Sequence, residues 1–505
     1  MGKTLMRKAL MIQGTMSNVG KSLLTAGLCR VFHQDGIGVA PFKSQNMALN
    51  SFITDEGLEM GRAQVVQAEA CGVNPSVLMN PVLLKPVTNE GSQVIVNGEV
   101  HGNMSATEYY DYRSKLGPVV VKAFNTLADR YDLVVLEGAG SPAEINLKDN
   151  DIVNMWMAKK ANASVLLVGD IDRGGVFAQL YGTLMLLDDD ERQLVKGLVI
   201  NKFRGDVELL RPGLKMLEEK TSKPVIGTIP YLTIDIEDED SLAERLSARS
   251  TTSGIDIVVV LLPKISNFTD LMALEATEGV NVRYVNIADD IGHPDMVILP
   301  GSKNTIADLK WLRQTQMDVA VMRLAKAGAI VFGLCGGYQM LGRHLNDSAG
   351  VEGGGAAEGL GLLPVSTEFT QAKTRLRTEG QIIGAQGALS PLNGSHITGY
   401  EIHMGTSEFA ETSTGKPVLP LLKKDNGNTD GCAFGNVAGT YLHGFFDSAE
   451  CRSALMGILC ARKGISTPTA TFDFASYKEK QLNKLADAVR ESLDMNFIYS
   501  LLEQS

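Results

Sequence analysis

Along the first half of the chain, short apolar runs alternate with segments whose apolar residues recur every three to four positions. "KALMIQG" (8–14) and "VAPFK" (39–43) read as strands. The intervening "KSLLTAGLCRVFHQDG" (21–36) reads as a helix with Leu24, Leu28 and Phe32 on one face. "YDLVVLEGAG" (131–140), "SVLLVGD" (164–170) and "VKGLVIN" (195–201) are continuous β-branched runs that end in polar residues or glycine. Runs of that kind are strands covered on both faces of a parallel sheet. Such sheets bind ligands at the carboxyl ends of their strands, which puts Gly14, Glu137, Asp170 and Asn201 along one edge.

The pattern breaks at "IEDEDSLAERLSARSTTSG" (236–254), which is acidic and then Ser/Thr-rich. It reads as a linker between a domain over 1–235 and a second over 255–505. The second opens with its own strand series: "IDIVVVLLP" (255–263), "VNVRYVNI" (280–287), "DMVILPGS" (295–302) and "GAIVFGLCGG" (328–337). The fold class is therefore α/β twice over, a doubly wound parallel sheet followed by a second α/β domain. "SAGVEGGGAAEGLGLLP" (348–364) reads as an exposed, mobile glycine-rich loop, and 472–503 as an amphipathic helical tail of the second domain.

Composition narrows the class. A chain of 505 residues is too long for one core, and 44% hydrophobic with 21% charged residues is ordinary for a globular protein. A formal net charge of −11 gives no general attraction to nucleic acid or anionic membrane, so neither is expected as a partner. The six cysteines form no C-x-x-C pair and read as reduced thiols. No apolar segment approaches the roughly 20 residues of a membrane helix, and "MGKTLMRKALMIQGT" reads as a first strand rather than a signal peptide. The expected location is cytoplasmic.

Two stretches carry chemistry. "GTMSNVGKS" (14–22) lies between a strand and a helix and ends as a phosphate-binding loop does, but Thr15 stands where the usual pattern has glycine. Gly14 supplies the turn one residue early. Gly14, Gly20, Lys21 and Ser22 would then bind nucleotide phosphates, with Ser22 also on Mg²⁺. Glu137, a carboxylate at the tip of a buried strand, is a second candidate for Mg²⁺. Asn201 at another strand end is placed to read adenine. Asp170, Asp172 and Arg173 could touch metal, phosphate or substrate, and Lys85 could grip a substrate carboxylate.

In the second half, "AIVFGLCGGYQMLG" (329–342) runs a strand through Gly333-Leu334-Cys335-Gly336-Gly337 into a helix. This is the nucleophile-elbow pattern with cysteine as nucleophile. The helix N-terminus favours a thiolate. The Gly336 amide, with Gly301 in "ILPGSKNT" as second donor, would stabilise an oxyanion. A thiolate needs a base. Of seven histidines, His443 in "GTYLHGFF" is preferred and His403 in "GYEIHMG" is the alternative. Phe445 occupies the position, two after the histidine, where a glutaminase triad has its orienting glutamate. A third member, if there is one, comes from elsewhere in the chain.

An ATP site joined to a cysteine elbow suggests ammonia release from glutamine feeding an ATP-driven amidation. The stretches above, with "PFKSQNMALNS", "GRAQVVQAEA", "MNPVLLKP", "EGAGSPAEINLKDNDIVNM", "GDIDRGGVFAQLYGT" and "SNFTDLMAL", resemble the cobyric acid synthase family nearly end to end. The first domain is similar to dethiobiotin synthetase, which shares the early glycine. The second resembles class I glutamine amidotransferases, with their flavodoxin-like α/β fold, in the variant lacking the orienting glutamate. The resemblance implies Cys335 as nucleophile and His443 as base, ATP and Mg²⁺ as cofactors, and glutamine as nitrogen source. It implies a corrinoid substrate, amidated at the b, d, e and g carboxylates of adenosylcobyrinic acid a,c-diamide. Cobyrinate a,c-diamide synthases are the nearest alternative. A partitioning-type P-loop ATPase is the alternative from another class.

Overall fold

The computed structural model describes residues 8–86, 91–236, 254–410, 418–466 and 472–503. The acidic connection expected at 236–254 lies almost wholly outside them. The chain divides into two compact units, one of residues 1–48, 59–240 and 475–505, the other of residues 49–58 and 241–474.

The first unit is built on a six-stranded sheet in the order Val225–Pro230, Val195–Phe203, Ser164–Asp170, Lys8–Gly14, Leu133–Glu137, Val39–Phe42. Every neighbouring pair is parallel. Lys8–Gly14 is central, and the chain winds to one side of it and then to the other. That reversal is where open parallel sheets leave a crevice for ligands. Helix Lys21–Gln34 packs Leu24, Leu28 and Phe32 into the core against the sheet.

The helical tail, expected with the second domain, belongs to the first. Helices Phe474–Ser492 and Met495–Glu503 place Leu482, Leu485, Val489 and Ile498 in the same apolar cluster as Leu28 and Val31. Polar contacts fix the register: Arg30 Nε donates to Asn483 Oδ1 (2.9 Å), and Arg490 pairs with Asp35 (2.7 Å). A linear reading of hydrophobic pattern finds the amphipathic helix but not the surface that covers it.

The second unit has a 12-stranded sheet. Its parallel part runs Val280–Val285, Ile255–Val260, Met296–Leu299, Ile330–Leu334, Val437–Thr440. Beyond this, antiparallel strands follow, including the long pair Val365–Ile382 and His396–Phe409. Of the strand series read from sequence, Ile255–Val260, Met296–Leu299 and Ile330–Leu334 are almost wholly buried, with core clusters on both faces, whereas Val280–Val285 at the sheet edge is mostly half-buried. The glycine-rich stretch 348–364 is not the loose loop expected. Gly355–Glu358 pairs antiparallel with His344–Asp347, and Asp347 accepts from the amides of Val351, Glu352 and Gly354. Among the described residues, no helix is long and apolar enough to cross a membrane.

Candidate functional site

In the first unit, strand Lys8–Gly14 runs into the loop 15–20, and the helix begins at Lys21 after Gly20, whose φ is 92°. The displaced glycine has a steric cause. A Cβ at Gly14 would lie 2.5 Å from Val19 Cγ2 and 3.0 Å from Lys21 Cδ, so the loop folds back over this position. Thr15 is tolerated because its hydroxyl points to Gln179 Oε1 (3.1 Å), while its amide donates to Val168 O (2.9 Å). Lys21 Nζ donates to the carbonyls of Met16 (2.9 Å) and Gly140 (3.2 Å), curled over the loop where phosphate oxygens would offer stronger acceptors.

Glu137 is buried at its strand end. Its Oε1 accepts from Ser22 Oγ (2.8 Å) and from Lys43 Nζ (2.8 Å), and its Oε2 from Gln67 Nε2 (2.6 Å). Burial alone would raise its pKa, but Lys43, Gln67 and Ser22 outweigh burial and hold it below the usual value. The carboxylate is therefore ionised and shares one oxygen with the Ser22 hydroxyl. Two hard oxygen donors side by side fit a Mg²⁺ ion that takes its remaining ligands from water and phosphates. Among the described residues no cluster of three or more His, Cys, Asp or Glu could form an all-protein metal cage.

Lys43 and Gln67 were not singled out from the sequence. Lys43 follows a strand end, as Glu137 does, and that position was the available signal. Asn201 Nδ2 donates to Val19 O (2.7 Å), so its amino group supports the loop from below. Asp170 is buried against Lys202 (3.2 Å), and Asp172 meets Arg204 Nε (3.0 Å). Lys85 is buried and ion-paired with Glu59 (2.9 Å), which neutralises the charge expected to meet a substrate carboxylate.

In the second unit, Cys335 sits between strand Ile330–Leu334 and helix Gly336–Leu341 with φ 49° and ψ −108°. A non-glycine residue there is strained. The turn holds because nothing larger than glycine fits beside it. A Cβ at Gly336 would meet Ser302 N at 2.9 Å and Thr305 Oγ1 at 3.2 Å, so the "PGSKNT" loop abuts the elbow. The Cys335 thiol lies 3.7 Å from Ile402 O.

His443 is buried, and its Nδ1 lies 2.7 Å from Asp270 Oδ2. Asp270 Oδ1 also accepts from the Gly444 amide (3.0 Å). The third member sought two residues after the histidine therefore comes from "SNFTDLMAL", far upstream in the chain. Burial would lower the His443 pKa, but the Asp270 carboxylate and the nearby Cys335 thiol outweigh it and raise the value to about 10. Among the described residues His443 Nε2 has no hydrogen-bond partner, and Cys335 is the neighbour that adds to the shift. A cysteine, a histidine and an orienting carboxylate can perform acyl transfer through a thioester. His403 differs: its ring stacks on Tyr441 at 3.7 Å and its Nδ1 faces Gly405 O (3.0 Å).

The loop carrying Gly301 is braced by two buried carboxyls. Asp308 Oδ2 accepts from Ser302 Oγ (2.6 Å), and Glu352 Oε2 accepts from the Thr305 amide (2.7 Å). Burial raises the Asp308 pKa to about 6 and the Glu352 pKa to about 7. Thr305 Oγ1 then donates to Gln339 Oε1 (3.1 Å), one helical turn after Cys335.

Residues 10–242 match the family model of the CobQ/CobB/MinD/ParA nucleotide binding domain, and residues 256–451 that of the CobB/CobQ-like glutamine amidotransferase domain. The cobyric acid synthase of Lachnoclostridium phytofermentans is 54% identical, with 99% of this chain and 100% of that one aligned. That of Ruminiclostridium cellulolyticum is 55% identical over 99% of this chain and 98% of the relative. That of Alkaliphilus metalliredigens is 51% identical over 98% and 99% respectively. With both domains matched in order and half of all positions shared from end to end, the chain belongs to the cobyric acid synthase family.

Proposed function

We propose that this chain is a glutamine-hydrolysing carbon–nitrogen ligase that converts the b, d, e and g carboxylates of adenosylcobyrinic acid a,c-diamide to amides. The observation that carries the reading is the pairing, in one chain, of a strained Cys335 elbow facing His443–Asp270 with a phosphate loop facing a buried, ionised Glu137. The names of the relatives support the corrinoid as substrate.

In the glutaminase unit, Cys335 Sγ attacks the glutamine side-chain carbonyl carbon, the thiol proton being already held on His443 Nε2, whose raised pKa keeps the imidazole charged. Amide protons of Gly301 and Gly336 receive the developing oxyanion. The carbon–nitrogen bond breaks, and His443 returns the proton to the leaving ammonia. Water, deprotonated by His443, then releases glutamate from the thioester. Asp270 keeps the Nδ1 proton in place, so that Nε2 faces the sulfur.

In the synthetase unit, Gly14, Gly20 and Lys21 would hold the ATP phosphates, and Asn201, which supports the loop, would read the adenine. Mg²⁺, held by Ser22 and Glu137, would neutralise charge on the transferring phosphoryl group. A corrinoid carboxylate oxygen attacks the γ-phosphorus and ADP leaves. Ammonia then displaces phosphate from the acyl phosphate. Lys43, whose ammonium lies beside Glu137 Oε1, would pair with the anionic acyl phosphate. Glutamine and the corrinoid are the small-molecule partners, no nucleic acid or membrane is required, and the reaction suits the cytoplasm.

The test is incubation with adenosylcobyrinic acid a,c-diamide, ATP and glutamine, followed by mass measurement. Each amidation exchanges OH for NH₂ and removes one acidic group. Stepwise appearance of four such products supports the reading. Amidation at the a and c positions of cobyrinic acid would reassign the chain to the neighbouring diamide synthases.

A further inference from the structure

The helix Ala106–Arg113 of the first unit carries three tyrosines, Tyr109, Tyr110 and Tyr112, yet none of its residues is buried. It is a well-formed element all the same, since Ser105 and Glu108 close its N-terminus as a capping box. A short helix draws most of its stability from a packed face, and this one has none in the core, so its rings are not there to fill the interior. Tyr109, Tyr112 and Arg113, at i, i+3 and i+4, share one side of it. Cations and an imidazole stand among the rings. Arg113 lies 5.6 Å from the Tyr110 centroid and Lys115 6.0 Å from the Tyr112 centroid, and His101 stacks on Tyr112 at 4.8 Å with planes 20° apart.

Two contacts tie this helix to the synthetase site by separate routes. Tyr109 Oη donates to Gln45 Oε1 (2.5 Å), on the short strand Gln45–Met47 that begins two residues after Lys43. Arg113 Nη2 donates to Leu147 O (3.3 Å), in the loop that leaves Glu137 and whose Gly140 carbonyl meets Lys21. Lys43 and Glu137 are themselves joined at 2.8 Å. The helix therefore closes a ring of contacts that starts and ends at the carboxylate beside Ser22. The two segments in that ring expose apolar side chains: Met47 and Ile145 are each 58% accessible, and Leu147 40%. Apolar surface left open beside the polar groups of a site marks a place where something binds.

The chemistry of the rim constrains what covers it. Half-exposed rings and apolar tips favour a broad conjugated surface. Arg113 and Lys115, at the C-terminal end of the helix, favour anions, and the planar guanidinium matches a carboxylate. Arg113 Nε has no hydrogen-bond partner among the described residues, so the protein does not saturate this group. Of the two acids on the helix, Glu108 is engaged with Ser105, and among the described residues Asp111 pairs with neither cation.

We propose that Tyr110, Tyr112 and Arg113, with Met47, Ile145 and Leu147, form the docking surface for the corrin macrocycle. The conjugated ring lies against the tyrosines and apolar tips, and Arg113 pairs with one peripheral carboxylate while another reaches Lys43 and Glu137. The inference rests on the corrinoid ligase function proposed above. It also accounts for one phosphate site serving four carboxylates spread around a ring. A macrocycle held by its face can be turned to present each in succession, which a pocket closed around a single carboxylate would not allow.

The test is equilibrium binding of adenosylcobyrinic acid a,c-diamide to the full chain, with free corrinoid read from its visible absorption after ultrafiltration. Tyr112→Ala and Arg113→Gln are compared with the unsubstituted protein. Neither side chain is buried, so both variants should fold, which their thermal melts check. In each, Kd for the a,c-diamide should rise at least about fivefold, the scale of a lost aromatic or charge-assisted contact. KM for the corrinoid should rise with it, while kcat at saturating corrinoid and Kd for ATP change by less than about twofold, as when binding common to ground and transition states is removed. Arg113→Gln should lose more affinity for the a,c-diamide than for its fourfold amidated product, and Tyr112→Ala should lose the same for both. Unaltered corrinoid affinity in both variants, or a fall in kcat with KM unchanged, would overturn the proposal. A changed oligomeric state of Tyr112→Ala in sedimentation, with corrinoid affinity intact, would assign the helix to contact with a second copy and overturn it too. Failure of the unsubstituted protein to bind or amidate the corrinoid would instead overturn the function on which the inference rests.

Discussion

Asp270 Oδ2 and His443 Nδ1 are 2.7 Å apart although 173 residues separate them in the chain. Asp270 lies on a short helix that follows the strand Ile255–Val260, and His443 on the two-residue strand Leu442–His443. The pair is buried, so the carboxylate is the principal compensation for a charged imidazole in an apolar surround.

Asp270→Asn should therefore remove the larger of the two influences that oppose burial, leaving Cys335 as the other, and bring the His443 pKa well down from about 10. Glutamine-driven turnover should fall about 10³–10⁴-fold, the scale seen when a triad loses its orienting carboxylate. Ammonia-driven amidation should survive. The stability effect has a definite sign. A histidine whose folded pKa is raised contributes stability in full below its unfolded value, and loses it as pH rises through about 10. The loss of unfolding free energy in Asp270→Asn, on the order of 3–5 kcal/mol, should be largest below about pH 6.5 and shrink toward pH 10. A loss independent of pH in chemical denaturation would show that the pair is not ionised as described.

Glu137→Gln tests the other unit. The substitution leaves Lys43, itself buried, without the carboxylate that neutralises it. Breaking such a pair costs about 3–5 kcal/mol, so the variant should melt lower even without nucleotide. Adding Lys43→Met should recover much of that stability without restoring turnover. The synthetase rate should drop about 10²-fold or more in both variants, with a higher Mg²⁺ concentration needed for half-maximal nucleotide binding. Calorimetric titration with an unaltered Mg²⁺ requirement would leave Glu137 a purely structural acid.

The contrast between these two sites explains what the sequence discloses. Gly14 and Glu137 end strands, Cys335 lies in the turn after one, and Lys21 and Ser22 open the helix that follows another, so periodicity together with the local motifs located them. The parallel sheets were legible for the same reason, since strands covered on both faces leave uninterrupted apolar runs. Asp270, Lys43 and Glu352 were not legible as partners because each acts on a residue distant in sequence. Residues 348–364 are largely exposed, as expected, but reading them as a loop failed because glycine content reports backbone freedom, and says nothing of the pairing of Gly355–Glu358 or of a single carboxylate such as Glu352 turned inward. The C-terminal helices showed their apolar stripe plainly. Which unit they cover depends on contacts such as Val489 and Leu485 against Gly27, which no local pattern encodes.

Glu352 gives a prediction about pH. Burial raises its pKa to about 7, above the ordinary 4.5 of a glutamate. A carboxyl raised in this way stabilises the fold fully below about pH 4.5, and that contribution is lost as pH climbs through about 7. Glu352→Gln keeps an acceptor for the Thr305 amide but has no charge to bury. The variant's melting temperature should gain on the unsubstituted protein between pH 5 and pH 8, by an amount worth about 1–3 kcal/mol. Glutaminase kcat should stay within severalfold, because the brace on the Gly301 loop persists. Glu352→Ala removes the acceptor and should lower kcat more than it raises KM for glutamine, as expected for oxyanion donors displaced from a transition state. Equal behaviour of Gln and Ala at 352 would mean that the Thr305 contact does not hold the loop.

Cys335→Ser separates the two reactions most cleanly. Serine fits the same elbow, since it adds no bulk at a position where the neighbouring loop already presses on Gly336. Its hydroxyl is a far poorer nucleophile than a thiolate. It also faces a His443 whose raised pKa, near 10, reflects a thiol neighbour as well as Asp270. Thioester chemistry should stop, and glutamine-dependent amidation with it. The acyl phosphate forms in the other unit, at Lys21, Ser22 and Glu137, none of which touches Cys335 in any hydrogen bond described above. Free ammonia supplied at alkaline pH should therefore still be incorporated, with an ATP requirement and corrinoid saturation like those of the unsubstituted protein. Loss of both nitrogen sources, in a variant whose thermal melt is unchanged, would require Cys335 to serve phosphoryl transfer as well, and the division of labour between the two units would have to be abandoned.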